Sequence, residues 1–159
     1  MNDRQRSNGF TLIEILIVMV IVLLLFSLSF INIGKPQEST NLATVSDTLV
    51  ADIKTQQILA MSGGKGSATT AQPYGVYIQS NQYTLFAGST YSSSDPNNFT
   101  ETLPAGITIG TTFPSSQLIL DKGTGEVQSF TAGSNTITLT TAHNTRVITV
   151  GRFGAVTVN

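Results

Sequence analysis

From Phe10 to Ile33 the chain reads FTLIEILIVMVIVLLLFSLSFINI, 24 residues with one ionisable group, Glu14. As one helix this run would be about 36 Å long, enough to cross a bilayer core of roughly 30 Å. A helix apolar on every side must be covered by lipid or by other apolar helices. Residues 1–9, MNDRQRSNG, are polar and set Arg4 and Arg6 against Asp3. This cationic flank predicts a cytoplasmic N-terminus and a head outside the cytoplasm. A secretory signal peptide would have a shorter apolar core followed by a small-residue cleavage site. Here Gly34-Lys35-Pro36 ends the run without one, and the small residue, Gly9, stands before it. A plain signal anchor fits the length and flanks but leaves Glu14 unexplained.

A carboxylate in a membrane helix costs about 2.5–3.5 kcal/mol at the bilayer centre and less near the interface. Glu14 could lie close enough to the headgroups to be tolerated. The sharper reading is that another chain supplies its positive partner. A cut after Gly9 would leave a new α-amino group on Phe10, four residues from Glu14. A neighbouring subunit's amine could then neutralise Glu14 within an apolar bundle. A misregistered subunit would leave a buried charge unpaired and be rejected.

Gly9-Phe10-Thr11-Leu12-Ile13-Glu14, followed by the long apolar run, resembles the class III signal of type IV pilins and type II secretion pseudopilins. The resemblance implies cleavage between Gly9 and Phe10 by a prepilin peptidase of the bacterial inner membrane. It implies N-methylation of Phe10 by the same enzyme, and docking of Glu14 on the N-terminal amine of an adjacent subunit. The implied partners are that peptidase, the other subunits of a filament, the inner-membrane assembly platform and, before assembly, membrane lipid.

Residues 37–61 are a second helix candidate. Leu42, Val45, Leu49 and Ile53 follow helical spacing, Ala60 returns to the same face, and Gln56 interrupts it. Asp47, Asp52 and Lys54 lie off that stripe. Gly63-Gly64 is a C-terminal stop signal. One long helix from Phe10 to about Met61 would place its first half in membrane or filament and its second half along a head. Gly34 and Pro36 between the halves predict a kink, local unwinding or the membrane-exit boundary.

After residue 64 the chain turns rich in Thr, Ser, Gly and Asn. Tyr74, Val76 and Ile78 share one face, as do Tyr83, Leu85 and Ala87. With Ser80-Asn81 between them, 74–87 reads as a β-hairpin. Residues 88–106 read as a long loop, functional or mobile. Further strands are expected near 107–113, 117–121, 126–130, 135–142, 146–151 and 155–158, with turns at Gly123-Thr124-Gly125 and Gly133-Ser134-Asn135. The expected fold is α+β: a long N-terminal helix, then a small antiparallel β-sandwich-like head. The divisions are 1–9 leader, 10–33 transmembrane or filament-core helix, 34–64 amphipathic continuation and 65–159 head.

This layout, with Arg146, Ile148, Val150, Gly151 and Arg152 near the C-terminus, is similar to the GspH/FimT branch of minor pseudopilins and minor pilins. Some FimT-like proteins capture DNA through a Gly-Arg-x-Arg stretch. The matching residues here are Gly151-Arg152-Phe153-Gly154, so the second Arg is missing. Arg146 and Arg152 would share a face if 146–152 were one strand.

Composition narrows the chemistry. The chain holds 8 basic and 9 acidic residues, and only 11% of it is charged. Without residues 1–9, six basic and eight acidic side chains remain, too few clustered cations for phosphate binding. Nucleic acid is therefore not an expected partner, and the two arginines read better as solubilising strand-edge charges. The absence of cysteine excludes disulfides and thiolate chemistry, and with it a pilin-type C-terminal disulfide loop. A single histidine, His143, and no Gly-x-Ser-x-Gly leave no triad. Asp121–Glu126 lacks the ligand spacing of an EF-hand and reads as a charged β-turn. Asn98-Phe99-Thr100 matches a glycosylation sequon, a pattern that arises often by chance. No enzyme activity, cofactor or metal is expected. The expected role is a structural minor subunit of a secretion pseudopilus or a type IV pilus. The alternatives are a DNA-capturing minor pilin and a signal-anchored β domain unrelated to filaments.

Overall fold

The computed structural model describes residues 10–28, 34–65 and 68–159, which fall into two units meeting at Gly34 and Lys35. In the first unit, helix α1 (Leu12–Leu28) has 17 residues, about 26 Å of helix. Among the described residues, no helix is long and apolar enough to cross a membrane. The apolar run predicted to span one continues past α1 into residues 29–33. These lie outside the described residues, as do the leader 1–9 and the join of the proposed long helix.

Helix α2 (Gly34–Met61) is 28 residues long. Gly34 and Pro36 lie in α2; the kink or unwinding expected where it meets residues 29–33 falls outside the described residues. The stop signal works as expected. Gly63 takes the left-handed conformation (φ 74°), the Gly64 N–H donates to Leu59 O at 2.9 Å, and the Gly63 N–H donates to Ala60 O at 3.4 Å. This pair of bonds is a Schellman closure.

The expected stripe of α2 is the buried one. Leu42, Leu49, Ile53 and Ala60 are buried, and Val45 packs beside them. Gln56 does not break that face towards solvent but is itself buried. Asp52, off the stripe, accepts a 2.6 Å hydrogen bond from the phenolic O–H of buried Tyr83.

Eight strands form two antiparallel sheets. The hairpin of β1 (Tyr74–Gln79) and β2 (Gln82–Ala87) matches the sequence reading, with Gln79 opposite Gln82 across the Ser80-Asn81 turn. Tyr74, Val76 and Ile78 stand opposite Ala87, Leu85 and Tyr83, so the two predicted faces are one core face. The predicted loop 88–106 is not structureless: it contains β3 (Phe99–Thr102), antiparallel to β2. The preceding loop folds back, with Tyr91 stacked on Tyr77 at 4.1 Å and its N–H donated to Gln117 Oε1. Strands β4 (Thr108–Thr111), β5 (Gln117–Leu120), β6 (Thr136–Thr140), β7 (Thr145–Val150) and β8 (Val156–Val158) lie at expected places. The orders are β3-β2-β1-β5 and β4-β6-β7-β8.

The strand expected at 126–130 is a correction. Only one bridge forms there, Leu120 with Val127. The Gln128 N–H donates to Ile119 O while the Val127 N–H donates to Arg152 O. The segment thus ties the first sheet to the β7–β8 turn of the second instead of extending either. Both sheets and α2 share one core, with Val76, Tyr83, Leu118, Ile137, Ile148 and Ile53 among its members.

Burial and the Asp52 carboxylate raise the Tyr83 phenol above its ordinary value of 10.0. A group raised on folding stabilises fully below its unfolded pKa and withdraws that stability as pH rises above it. Tyr83→Phe is expected to cost about 1 kcal/mol at neutral pH, the net worth of one hydrogen bond. Urea titrations should then show a flatter stability profile above about pH 10 for the variant than for the parent. Parallel profiles would show that Tyr83 does not govern the alkaline limb.

Candidate functional site

The N-terminal segment places its key groups within one helical turn. Phe10 precedes α1 and is 78% exposed, whereas Gly9 lies outside the described residues. Thr11 caps the helix: the Glu14 N–H donates to Thr11 O at 3.1 Å and to Thr11 Oγ1 at 3.3 Å. Thr11-Leu12-Ile13-Glu14 has the form of a capping box, a signal legible in the sequence that the motif reading passed over. The cap explains local order without any tertiary contact, because the hydroxyl replaces a missing carbonyl partner. Glu14, in the first turn, also sits at the positive end of the helix dipole.

Beyond Glu14, α1 offers only apolar side chains and one serine. The Ser27 hydroxyl donates to Leu24 O at 2.8 Å, so its polarity is spent within the helix. The large side chains from Leu12 to Phe26 are 48–85% exposed, on every side of the helix. Phe10, Glu14, Val18 and Val22 recur at four-residue steps along one groove, with Ile15 and Met19 beside them. A carboxylate at one end of an apolar groove suits a partner that is apolar along its length and cationic at one point. No other arrangement in the first unit offers polar chemistry to a ligand among the described residues.

In the head, the two candidate arginines do not share a strand face. Arg146 lies in β7, at the end of the row that continues through buried Ile148 and Val150. Arg152 lies beyond β7, in the tight turn to β8, where the Gly151 N–H donates to Ala155 O at 2.7 Å. Arg152 Nε is 3.8 Å from Glu126 Oε2, and its guanidinium lies 5.9 Å from the Phe153 ring centroid. A cation facing a carboxylate is a poor start for a phosphate site.

Gly154, which stands where the DNA-binding pattern has its second Arg, takes φ 74°. A Cβ there would run into the Gln57 side-chain amide. That amide's Nε2 donates to Gly125 O at 3.1 Å and to Phe153 O at 2.9 Å, holding two turns to α2.

The remaining candidates are turns. The Asp121 N–H donates to Glu126 O and the Gly125 N–H to Asp121 O, closing 121–126 as a β-turn region. Among the described residues, no group of three or more His, Cys, Asp or Glu side chains is placed to hold a metal. The sequon's Asn98 donates Nδ2 to Ser92 O at 2.7 Å, which ties down the atom a glycan would need. His143 is exposed, and its N–H reaches Thr141 Oγ1 in the β6–β7 turn.

Residues 4–30 match the family model of the prokaryotic N-terminal methylation motif. The match ends within the apolar helix, so it speaks for the N-terminal segment and not for the head. It supports a type IV pilin-like or pseudopilin precursor processed by prepilin peptidase. No curated protein and no solved structure matches the chain.

Proposed function

We propose that the protein is a structural subunit, of the minor GspH/FimT kind, of a type II secretion pseudopilus or a type IV pilus. It is held in the inner membrane with its N-terminus cytoplasmic and its head outside, cut between Gly9 and Phe10, and methylated on Phe10. It then enters a filament through the apolar helix, docking Glu14 on the amine of an adjacent subunit while the β head forms the outer surface. Its work is assembly, not catalysis. The observation that carries this reading is a helix apolar on all sides, exposed throughout, with one carboxylate in its first turn. The methylation motif over residues 4–30 supports the same reading.

The chemistry follows from the bilayer and the bundle. Lipid covers the helix before assembly and neighbouring helices cover it afterwards, so transfer loses little apolar burial. The Glu14 charge then decides position, because only a subunit that brings an amine to it avoids an unpaired buried charge. The measurement that tests the reading is the intact mass and N-terminal peptide of the protein from its native membranes. A chain beginning at N-methylated Phe10 is the expected result. A chain retaining residues 1–9 in cells with active peptidase would overturn it and leave a signal-anchored β domain.

A further inference from the structure

We infer that the head carries a binding site for a neutral saccharide, in the cleft between the β4–β5 connection and the segment after Val127. The backbone marks the place. Among the described residues, three residues other than glycine have positive φ: Ser115 at 52°, Ser116 at 57° and Ser129 at 53°. Ser115 and Ser129 line one cleft of about 210 Å³, and Ser116 adjoins it. Elsewhere this chain puts glycine at such positions, seven times among the described residues. Glycine would take these conformations without strain, so a serine held there retains something glycine lacks, its hydroxyl. Left-handed residues other than glycine concentrate where a fold presents groups to a ligand.

The groups presented share one chemistry. Ser115 and Ser129 both line the cleft, and neither hydroxyl makes a hydrogen bond within the described residues. Gln117 accepts the Tyr91 N–H through Oε1 at 2.8 Å, which leaves its Nε2 to donate. Gln128 donates Nε2 to Asp121 Oδ1 at 3.3 Å, which leaves its Oε1 to accept. The Thr90 hydroxyl donates to Ser89 O and keeps its lone pairs for a donor. Ile119 and Pro114 supply the apolar surface. No charged side chain lines the cleft. Alternating donors and acceptors without charge, over an apolar patch, match the hydroxyls and C–H face of a neutral sugar ring. They offer no cation to a phosphate or a carboxylate. The inference does not depend on cleavage at Gly9 or on entry into a filament.

The test uses the full chain, isotope-labelled, in a zwitterionic detergent without a sugar headgroup. Neutral oligosaccharides of glucose, galactose, mannose and N-acetylglucosamine are titrated to millimolar concentration, with polygalacturonate as the acidic control. At least one neutral sugar is expected to shift the amide signals of Thr90, Ser115, Gln117 and Ser129, and the acidic polymer none of them. Ser115→Gly and Ser129→Gly should each weaken that binding about fivefold or more, the loss of one hydrogen bond. Both should unfold at the same or a higher temperature, since glycine relieves the strain. Silence from every neutral sugar, equal shifts from the acidic polymer, unchanged binding in both variants, or a fall in melting temperature for both would each overturn the inference. Free sugars and a cell-surface polysaccharide are separated by comparing monosaccharides with the oligomers. Binding that grows with chain length points to the polymer, and equal binding to the free sugar.

Discussion

Glu14→Ala is expected to leave cleavage after Gly9 intact and to abolish stable entry of the protein into a filament. The parent helix has one carboxylate amid exposed hydrocarbon. In a packed bundle its removal leaves the neighbour's amine without a counter-charge. Breaking one side of a buried pair costs about 3–5 kcal/mol, a hundredfold or more in occupancy. Glu14→Gln keeps the size and the hydrogen-bonding oxygen but not the charge, and should fall between the two. Co-purification of tagged protein with sheared filaments, or pseudopili raised by overexpression, measures this. Membrane levels of the processed chain serve as the control. Wild-type recovery of the Ala variant would sink the role given to Glu14 while leaving the processing reading untouched.

Gly154→Arg, which restores the missing second Arg of the Gly-Arg-x-Arg pattern, is expected to destabilise the head rather than confer DNA binding. Two effects add. The left-handed backbone at φ 74° disfavours any side chain by about 1–2 kcal/mol. The new Cβ also displaces the Gln57 amide, which loses its bonds to Gly125 O and Phe153 O at about 0.5–1.5 kcal/mol each. The total is roughly 2–5 kcal/mol. Gly106→Ala is the matched control: it has φ 90° with nothing near its Cβ, so it should show the backbone effect alone, about 1 kcal/mol. Chemical denaturation of both variants reads the difference. Equal losses would mean that the Gln57 contact contributes nothing.

The two substitutions mark different parts of the molecule and different kinds of legibility. The motif around Gly9, Phe10 and Glu14 lies within six consecutive residues, and local chemistry suffices to read it. The same holds for the α2 stripe, where Leu42, Leu49, Ile53 and Ala60 are spaced by the helix itself. It holds for the 74–87 hairpin, where a two-residue turn sets the register of both strands. It holds for the Gly63-Gly64 stop, whose bonds reach back only to residues 59 and 60.

What failed was long-range. Strand β3 hid in a polar stretch because all four of its residues are exposed, so no alternation marks it, and its pairing with β2 supplies the order. The stretch at 126–130 alternates well enough to read as a strand. Its N–H groups are instead divided between Ile119 in the first sheet and Arg152 in the β7–β8 turn of the second. Gln56 and Tyr83 are buried where their neighbours in space, not in sequence, put them. The placement of Arg152 in a turn followed from the end of β7 at Val150, one residue before the expected end at 151.

By itself, then, the sequence determined the segments that satisfy their own backbone: the apolar helix with its cap and lone carboxylate, the amphipathic helix with its stop, and the tight hairpin. Only the tertiary structure decided how the remaining polar chain is shared between two sheets, what a side chain at 154 would displace, and where Ser115 and Ser129 meet. The reason is physical. A helix or two-residue hairpin closes its hydrogen bonds among near neighbours. A short, exposed strand or a strained turn is held by partners dozens of residues away, and their chemistry leaves no local trace.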